Sequence, residues 1–156
     1  MRVLGIDPGT AITGFSVLEK KGQGYEVITY GQITTDNKKS KNQRLLEIFQ
    51  NISYLIEKYQ PDEMAIEKLF FNKNITTAMS VSEARGVLIV SAMKNGLKVA
   101  EYTPLQVKQS VTGYGRASKK DVQHWIVNIL NLEETPKPDD VADAIAIAIC
   151  HINACG

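Results

Sequence analysis

Met64-Ala65-Ile66-Glu67 is a short apolar run that ends on a carboxylate. A helix-period stretch from about Thr76 to Asn95, a stop at Gly96 and a second strand-like run, Leu97-Lys98-Val99-Ala100-Glu101-Tyr102, come after it. Two strands separated by a helix must run parallel, because the helix is the crossover that a parallel pair requires. A parallel strand is covered on both faces, so it reads as unbroken apolar residues, as Met64 to Ile66 do. Upstream, Val3 to Ile6 leads into the turn Asp7-Pro8-Gly9. Gly14 to Glu19 and Tyr25 to Ile33, joined through Lys20 to Gly24, then complete an antiparallel meander. From Gln43 the period becomes helical, with Leu45, Ile48, Phe49, Ile52, Leu55, Ile56 and Tyr59 in one stripe that Pro61 ends. Downstream, Thr103-Pro104 starts a helix that Gly113 stops, and Ser118-Lys119-Lys120-Asp121 has the form of a capping box opening a helix to about Leu132. A last helix runs from Asp140 to about Ile152, apolar on nearly all sides, and must pack against the sheet. The expectation is an α/β fold with a mixed five-stranded sheet flanked by helices, in a single domain over residues 1–156.

With 156 residues, 44% hydrophobic and 22% charged, the chain can bury one sizeable core, and its scattered glycines and prolines exclude disorder as the main state. The longest purely apolar stretch, Ala144 to Cys150, is far shorter than the ~20 residues of a membrane span. Residues Met1 to Asp7 do not resemble a secretion signal, so a cytoplasmic protein with no membrane partner is expected. Cys150 and Cys155 have no second pair and no zinc-type spacing, and read as buried or idle thiols. The net charge of +1 favours no partner, but its distribution is uneven. Residues 68–132 carry nine Lys and Arg against three acids, whereas residues 133–156 carry five acids against Lys137 alone. A basic middle beside an acidic end suits a polyanion held over a cation site, and equally suits ordinary solvated surface.

Asp7 and Glu67 each stand at the carboxyl end of a short buried strand, where open α/β sheets place their ligands. Asp7 can also be read as a turn residue and Glu67 as a strand end reaching solvent. Asp140 and Asp143 are three apart and so share one helix face. Asp140, like Asp139, can be read as a helix cap, but Asp143 sits between alanines in an otherwise apolar helix. Together the four acids describe a hard, oxygen-rich site suited to Mg²⁺, for which Mn²⁺ would substitute. Two ions ~4 Å apart would activate a water and steady a departing 3′-oxygen in displacement at phosphorus. The loop Gly113-Tyr114-Gly115-Arg116, with the helix start and Lys119 behind it, can hold a phosphate. His124 and His151 do not join the acids and read as structural or exposed.

Six segments carry a family match: Gly5-Ile6-Asp7-Pro8-Gly9-Thr10, Ala65-Ile66-Glu67-Lys68-Leu69-Phe70, Ala84-Arg85-Gly86, Val107-Lys108-Gln109, Val122-Gln123-His124 and Asp140-Val141-Ala142-Asp143-Ala144. In this order and spacing the chain resembles the RuvC family of bacterial Holliday-junction resolvases, from Met1 to about His151. The resemblance implies a ribonuclease-H-like fold and a homodimeric nuclease that nicks two opposed strands of a four-way DNA junction in recombination and repair, leaving 5′-phosphate and 3′-hydroxyl ends. It places the catalytic, metal-holding acids on Asp7, Glu67, Asp140 and Asp143, the same four that the pattern singles out. It also implies DNA contacts from Lys108 and Lys119, with Lys120 adjacent, and base stacking by Phe70. Phe71 can be read as core packing. A RuvA-RuvB branch-migration complex is the partner that the family implies. The near-neutral charge departs from the more basic balance of many relatives.

Two rivals share parts of this pattern. Asp7-Pro8-Gly9-Thr10 is similar to the first phosphate turn of actin-like and sugar-kinase ATPases, but no second such turn is present. A YqgF-type relative acting on RNA is the alternative within the same fold, and the Lys108 and Asp140-to-Asp143 segments favour the resolvase.

Overall fold

The computed structural model describes residues 1–69 and 74–156. Phe70, which the resemblance assigns to base stacking, and its neighbour Phe71 lie outside the described residues. The elements are β1 (Arg2–Asp7), β2 (Ile12–Lys21), β3 (Gly24–Thr34), α1 (Lys41–Tyr59) and β4 (Glu63–Glu67), then α2 (Ile75–Lys94), β5 (Lys98–Tyr102), α3 (Pro104–Thr112), α4 (Lys119–Leu130) and α5 (Asp139–Ala154). The sheet order is β3-β2-β1-β4-β5. β1, β2 and β3 pair antiparallel, whereas β4 adds parallel to β1 and β5 parallel to β4. This is the mixed, ribonuclease-H-like sheet expected from the sequence. Among the described residues no helix is long and apolar enough to cross a membrane.

Period-two alternation splits the core into two layers. Leu4, Ile6, Met64 and Ile66 point to the side covered by α1 and α2, where Ile48, Ile52 and Leu88 meet them. Val3 and Ala65 point the other way, to a layer built by α5 with α3 and α4, in which Ile145, Ile149, Val107 and Ile126 are buried. The hydrophobic face of α5 is therefore central to that layer, and eleven of its residues are buried.

The closeness of α5 to the sheet depends on two glycines. A Cβ at Gly5 would lie 2.2 Å from the Ala144 carbonyl oxygen, and one at Gly14 would lie 2.0 Å from that of Asp140. Glycine inside a strand leaves room for a second backbone, and here that backbone is the first turns of α5. The buried Ser16 hydroxyl fixes the contact by donating to the Ala144 carbonyl at 2.9 Å.

The capping chemistry refines the boundaries. Thr103 and Ser118 each form a full capping box, with Gln106 and Asp121 respectively, and Gly113 closes α3 at φ 77°. α1 begins at Lys41 rather than Gln43, because Ser40 and Gln43 form a third box: the Gln43 amide donates to Ser40 Oγ at 3.2 Å, and the Ser40 amide to Gln43 Oε1 at 3.0 Å. α5 begins one residue earlier than expected, at Asp139, with Pro138 in the cap position and no side-chain hydrogen bond there. Neither Asp139 nor Asp140 caps the helix through its side chain, although both lie in its first turn, where their charge suits the positive end of the helix dipole. Both thiols are free, Cys150 buried and Cys155 exposed.

Candidate active site

Asp7 is the last residue of β1 and Glu67 the last of β4. By alternation each shares the face of Val3 or Ala65, so both carboxylates project toward α5. Gly5 and Gly14 let the N-terminal turns of α5 come close, and Asp140 and Asp143 arrive above the same strand ends. The turn after Asp7 is held by the Thr13 hydroxyl, which donates to the Gly9 carbonyl at 2.7 Å. The end of β4 is tied on both sides. The Lys68 amide donates to the Tyr102 carbonyl at 2.8 Å, and Arg85 Nε donates to the Glu67 carbonyl at 3.0 Å.

Mutual repulsion marks the cluster. The Asp7 carboxyl is pushed up to about 9, first by burial and then by the charges of Glu67, Asp143 and Asp140. Burial also raises Glu67, with Asp143 adding to the shift and Lys119, Arg85 and Lys108 opposing it. Asp143 is raised by burial, against the pull of Lys119. The structure therefore brings together all four acids expected from the sequence, from β1, β4 and α5.

Two of the expected cations stand beside them. Lys119 Nζ lies 3.3 Å from Asp143 Oδ2 and 3.3 Å from Asp139 Oδ2. Lys108, Lys119, Glu67 and Asp143 line one cleft of about 210 Å³. Glu67 and Pro104 also border a second cleft of about 370 Å³, continued by Lys68, Asn74 and Arg85. Arg116 and Lys120 are exposed and line neither cleft, so the structure does not bring them to the acids. His124 is exposed, and His151 is buried at the far end of α5.

Sequence reasoning gave no role at the site to four residues that support it. Asp139 shares Lys119 with Asp143, and no pattern separates it from a cap. Arg85 ion-pairs with Glu101 at 3.2 Å while bracing Glu67. Gly5 and Gly14 set the spacing of the acids, for which a glycine inside each strand was the available signal.

The donor set fits a hard divalent cation. It offers carboxylate oxygens alone, with no thiolate or imidazole among the four. Burial and the neighbouring carboxylates together raise Asp7 to about 9, and a bound cation would offset both.

The sequence profile described as "Crossover junction endodeoxyribonuclease RuvC" matches residues 3–151. A protein of that name from Caldicellulosiruptor saccharolyticus is 54% identical over 97% of this chain and 92% of the relative. One from Alkaliphilus metalliredigens is 55% identical over 99% of this chain and 94% of the relative. Among solved structures, T. thermophilus RuvC in complex with Holliday junction substrate superposes with a TM-score of 0.95 at 33% identity, covering 99% of this chain and 94% of that one. With the profile matching nearly its whole length and relatives above half identity, the chain belongs to the crossover junction endodeoxyribonuclease RuvC family.

Proposed function

We propose that this chain is a metal-dependent endonuclease that resolves four-way DNA junctions by paired, symmetric nicks in recombination and repair. The observation that carries the reading is the convergence of Asp7, Glu67, Asp140 and Asp143 at the carboxyl ends of β1 and β4, with Lys119 and Lys108 in the adjoining cleft. These four acids would hold Mg²⁺, or Mn²⁺ in its place, with two ions per site as the intended complement. Such ions, when bound, acidify an attacking water and steady the charge that builds on the phosphate oxygens.

The chain's own residues do the rest. Asp143 and Asp139 hold Lys119 at the cleft, so neutralising Asp143 frees its ammonium for a phosphate oxygen of the strand being cut. Lys108 presents a second cation to the same cleft. Arg116 and Lys120, exposed outside it, fit contacts to phosphates farther along the duplex. Phe70, on the family resemblance, would stack on an unpaired base. Paired nicks need two sites, which favours a homodimer. An apolar groove between α1 and α2, lined by Leu46, Phe49, Val87 and Val90, is a surface suited to a second copy. A RuvA-RuvB complex as the source of the junction rests on the family resemblance alone.

The test is a synthetic mobile four-way junction incubated with and without Mg²⁺. Paired nicks with 5′-phosphate ends are expected with the ion, and none in chelator. An uncut junction, or equal cutting of linear duplex, would overturn the proposal. A second prediction concerns grip: Lys119→Ala should weaken junction binding and reduce the slope of log affinity against log salt by about 1. Affinity measured over a salt series checks it, and an unchanged slope would remove Lys119 from the phosphate contacts.

A further inference from the structure

At the opposite end of α5 from the acid cluster, three other potential ligands meet. His151 is 3% exposed, and its Nε2 lies 2.7 Å from Glu63 Oε2 and 3.7 Å from Cys155 Sγ. One ligand atom from each of the three falls within 4.8 Å of the other two. Eight residue steps of helix lead from Asp143 to His151, about 12 Å along the axis. This is a separate place on the molecule.

We propose that Glu63, His151 and Cys155 form a second metal site, built for a zinc-type divalent cation. In its neutral form the Nε2 of an imidazole with an occupied Nδ1 acceptor has one hydrogen to donate, and the carboxylate at 2.7 Å takes it. The thiol beside the same nitrogen adds nothing to that bond. A cation between the three groups uses all of them.

The nitrogen–sulfur spacing agrees, whereas the nitrogen–carboxylate contact, 2.7 Å as a hydrogen bond, must open to about 3.3 Å when a cation takes the proton's place. A tetrahedral zinc with bonds of about 2.0 Å to nitrogen and 2.3 Å to sulfur sets those two ligands about 3.5 Å apart. The nitrogen and sulfur lie 3.7 Å apart. His151 and Cys155 are four apart at the end of α5, so both side chains fall on one face, as helical metal ligands do. The ring is also oriented from behind. Tyr102 Oη lies 2.7 Å from Nδ1, and a hydrogen bond at the second nitrogen is what steadies a metal-bound histidine. One imidazole, one carboxylate and one thiolate form a softer donor set than the acid cluster, selecting zinc over magnesium. Three protein ligands leave a fourth position for water.

The probe is Co²⁺, added to the full-length protein in excess Mg²⁺ so that the hard oxygen site is occupied. A single equivalent should give a near-ultraviolet thiolate-to-cobalt charge-transfer band, and Zn²⁺ should displace it. Cys155→Ser, exposed at the helix end and so harmless to folding, should lose the band and bind Zn²⁺ at least tenfold more weakly. Asp7→Asn should keep the band, and Cys155→Ser should cut junctions normally. No band in the natural protein, or a band that survives in Cys155→Ser, overturns the proposal. Neither outcome touches the reading of the acid cluster.

Discussion

Asp7→Asn is expected to slow junction cutting roughly 10³-fold or more while leaving the metal-free protein more stable than the natural one. The two effects have one cause. Asp7 lies where burial and three other carboxylates oppose its charge, an arrangement that would serve the proposed cation and works against the empty fold. Asparagine keeps the size and removes the charge. The sign of the pH dependence follows from the folded carboxyl standing at about 9 against an ordinary 3.8. Between those values the folded state holds a proton that the unfolded chain has released, so stability falls as pH rises through that window. The variant lacks this slope. In chelator, its advantage should be absent near pH 4 and grow toward pH 9, exceeding ~1 kcal/mol, or a few degrees in melting temperature, by pH 8. Adding Mg²⁺ should raise the melting point of the natural protein more than that of the variant. Thermal melts over pH, with and without chelator, alongside a cutting assay, measure all of this. Normal cutting by the variant, or a lower melting point in chelator, would contradict it.

Gly14→Ala should cost ~1–3 kcal/mol of stability and lower the cutting rate about 100-fold, even though the residue carries no functional group. Its added methyl would sit 2.0 Å from the Asp140 carbonyl oxygen and 2.4 Å from its carbon, and a backbone cannot swing aside as a long side chain can. The first turn of α5 must lift, carrying Asp140 and Asp143 away from Asp7 and Glu67. Junction affinity, which the proposed function assigns to the exposed lysines and Arg116, should change little. The expected signature is therefore a loss of turnover with binding kept, measured with denaturant melts and single-turnover cutting. Gly24→Ala is the control, since its nearest neighbour would be an ordinary 3.8 Å away. Wild-type turnover in Gly14→Ala would show that the helix tolerates displacement.

Much of this molecule is legible before any coordinates. The parallel pairing of β4 and β5 follows from the helix between them, and the boxes at Thr103 and Ser118 follow from residue type at fixed spacing. Those signals are local. The box at Ser40 is equally local but lies in a polar, lysine-rich stretch where the apolar period has not begun, so the start of α1 is read two residues late. Asp7, Glu67 and Asp143 stand out because a charge at the end of an apolar strand, or between alanines, conflicts with its surroundings, whereas Asp140 is marked only by its three-residue spacing from Asp143. The pairing of His151 with Glu63 has no such signal. The residues are 88 positions apart, and each looks ordinary where it stands. Arg85 is similar: its bond to the Glu67 backbone depends on α2 crossing beneath β4.

The five residues of β4 place Glu63 and Glu67 at opposite ends of one side of a single strand, with Ala65 between them. Their spacing is an even number, and that parity is what lets one strand serve both ends of α5. Lengthening or shortening it by one position would leave only one of the pair pointing the right way and drive the other among Ile48, Ile52 and Leu88. Natural variation in the length of this strand should therefore come in steps of two, or not at all.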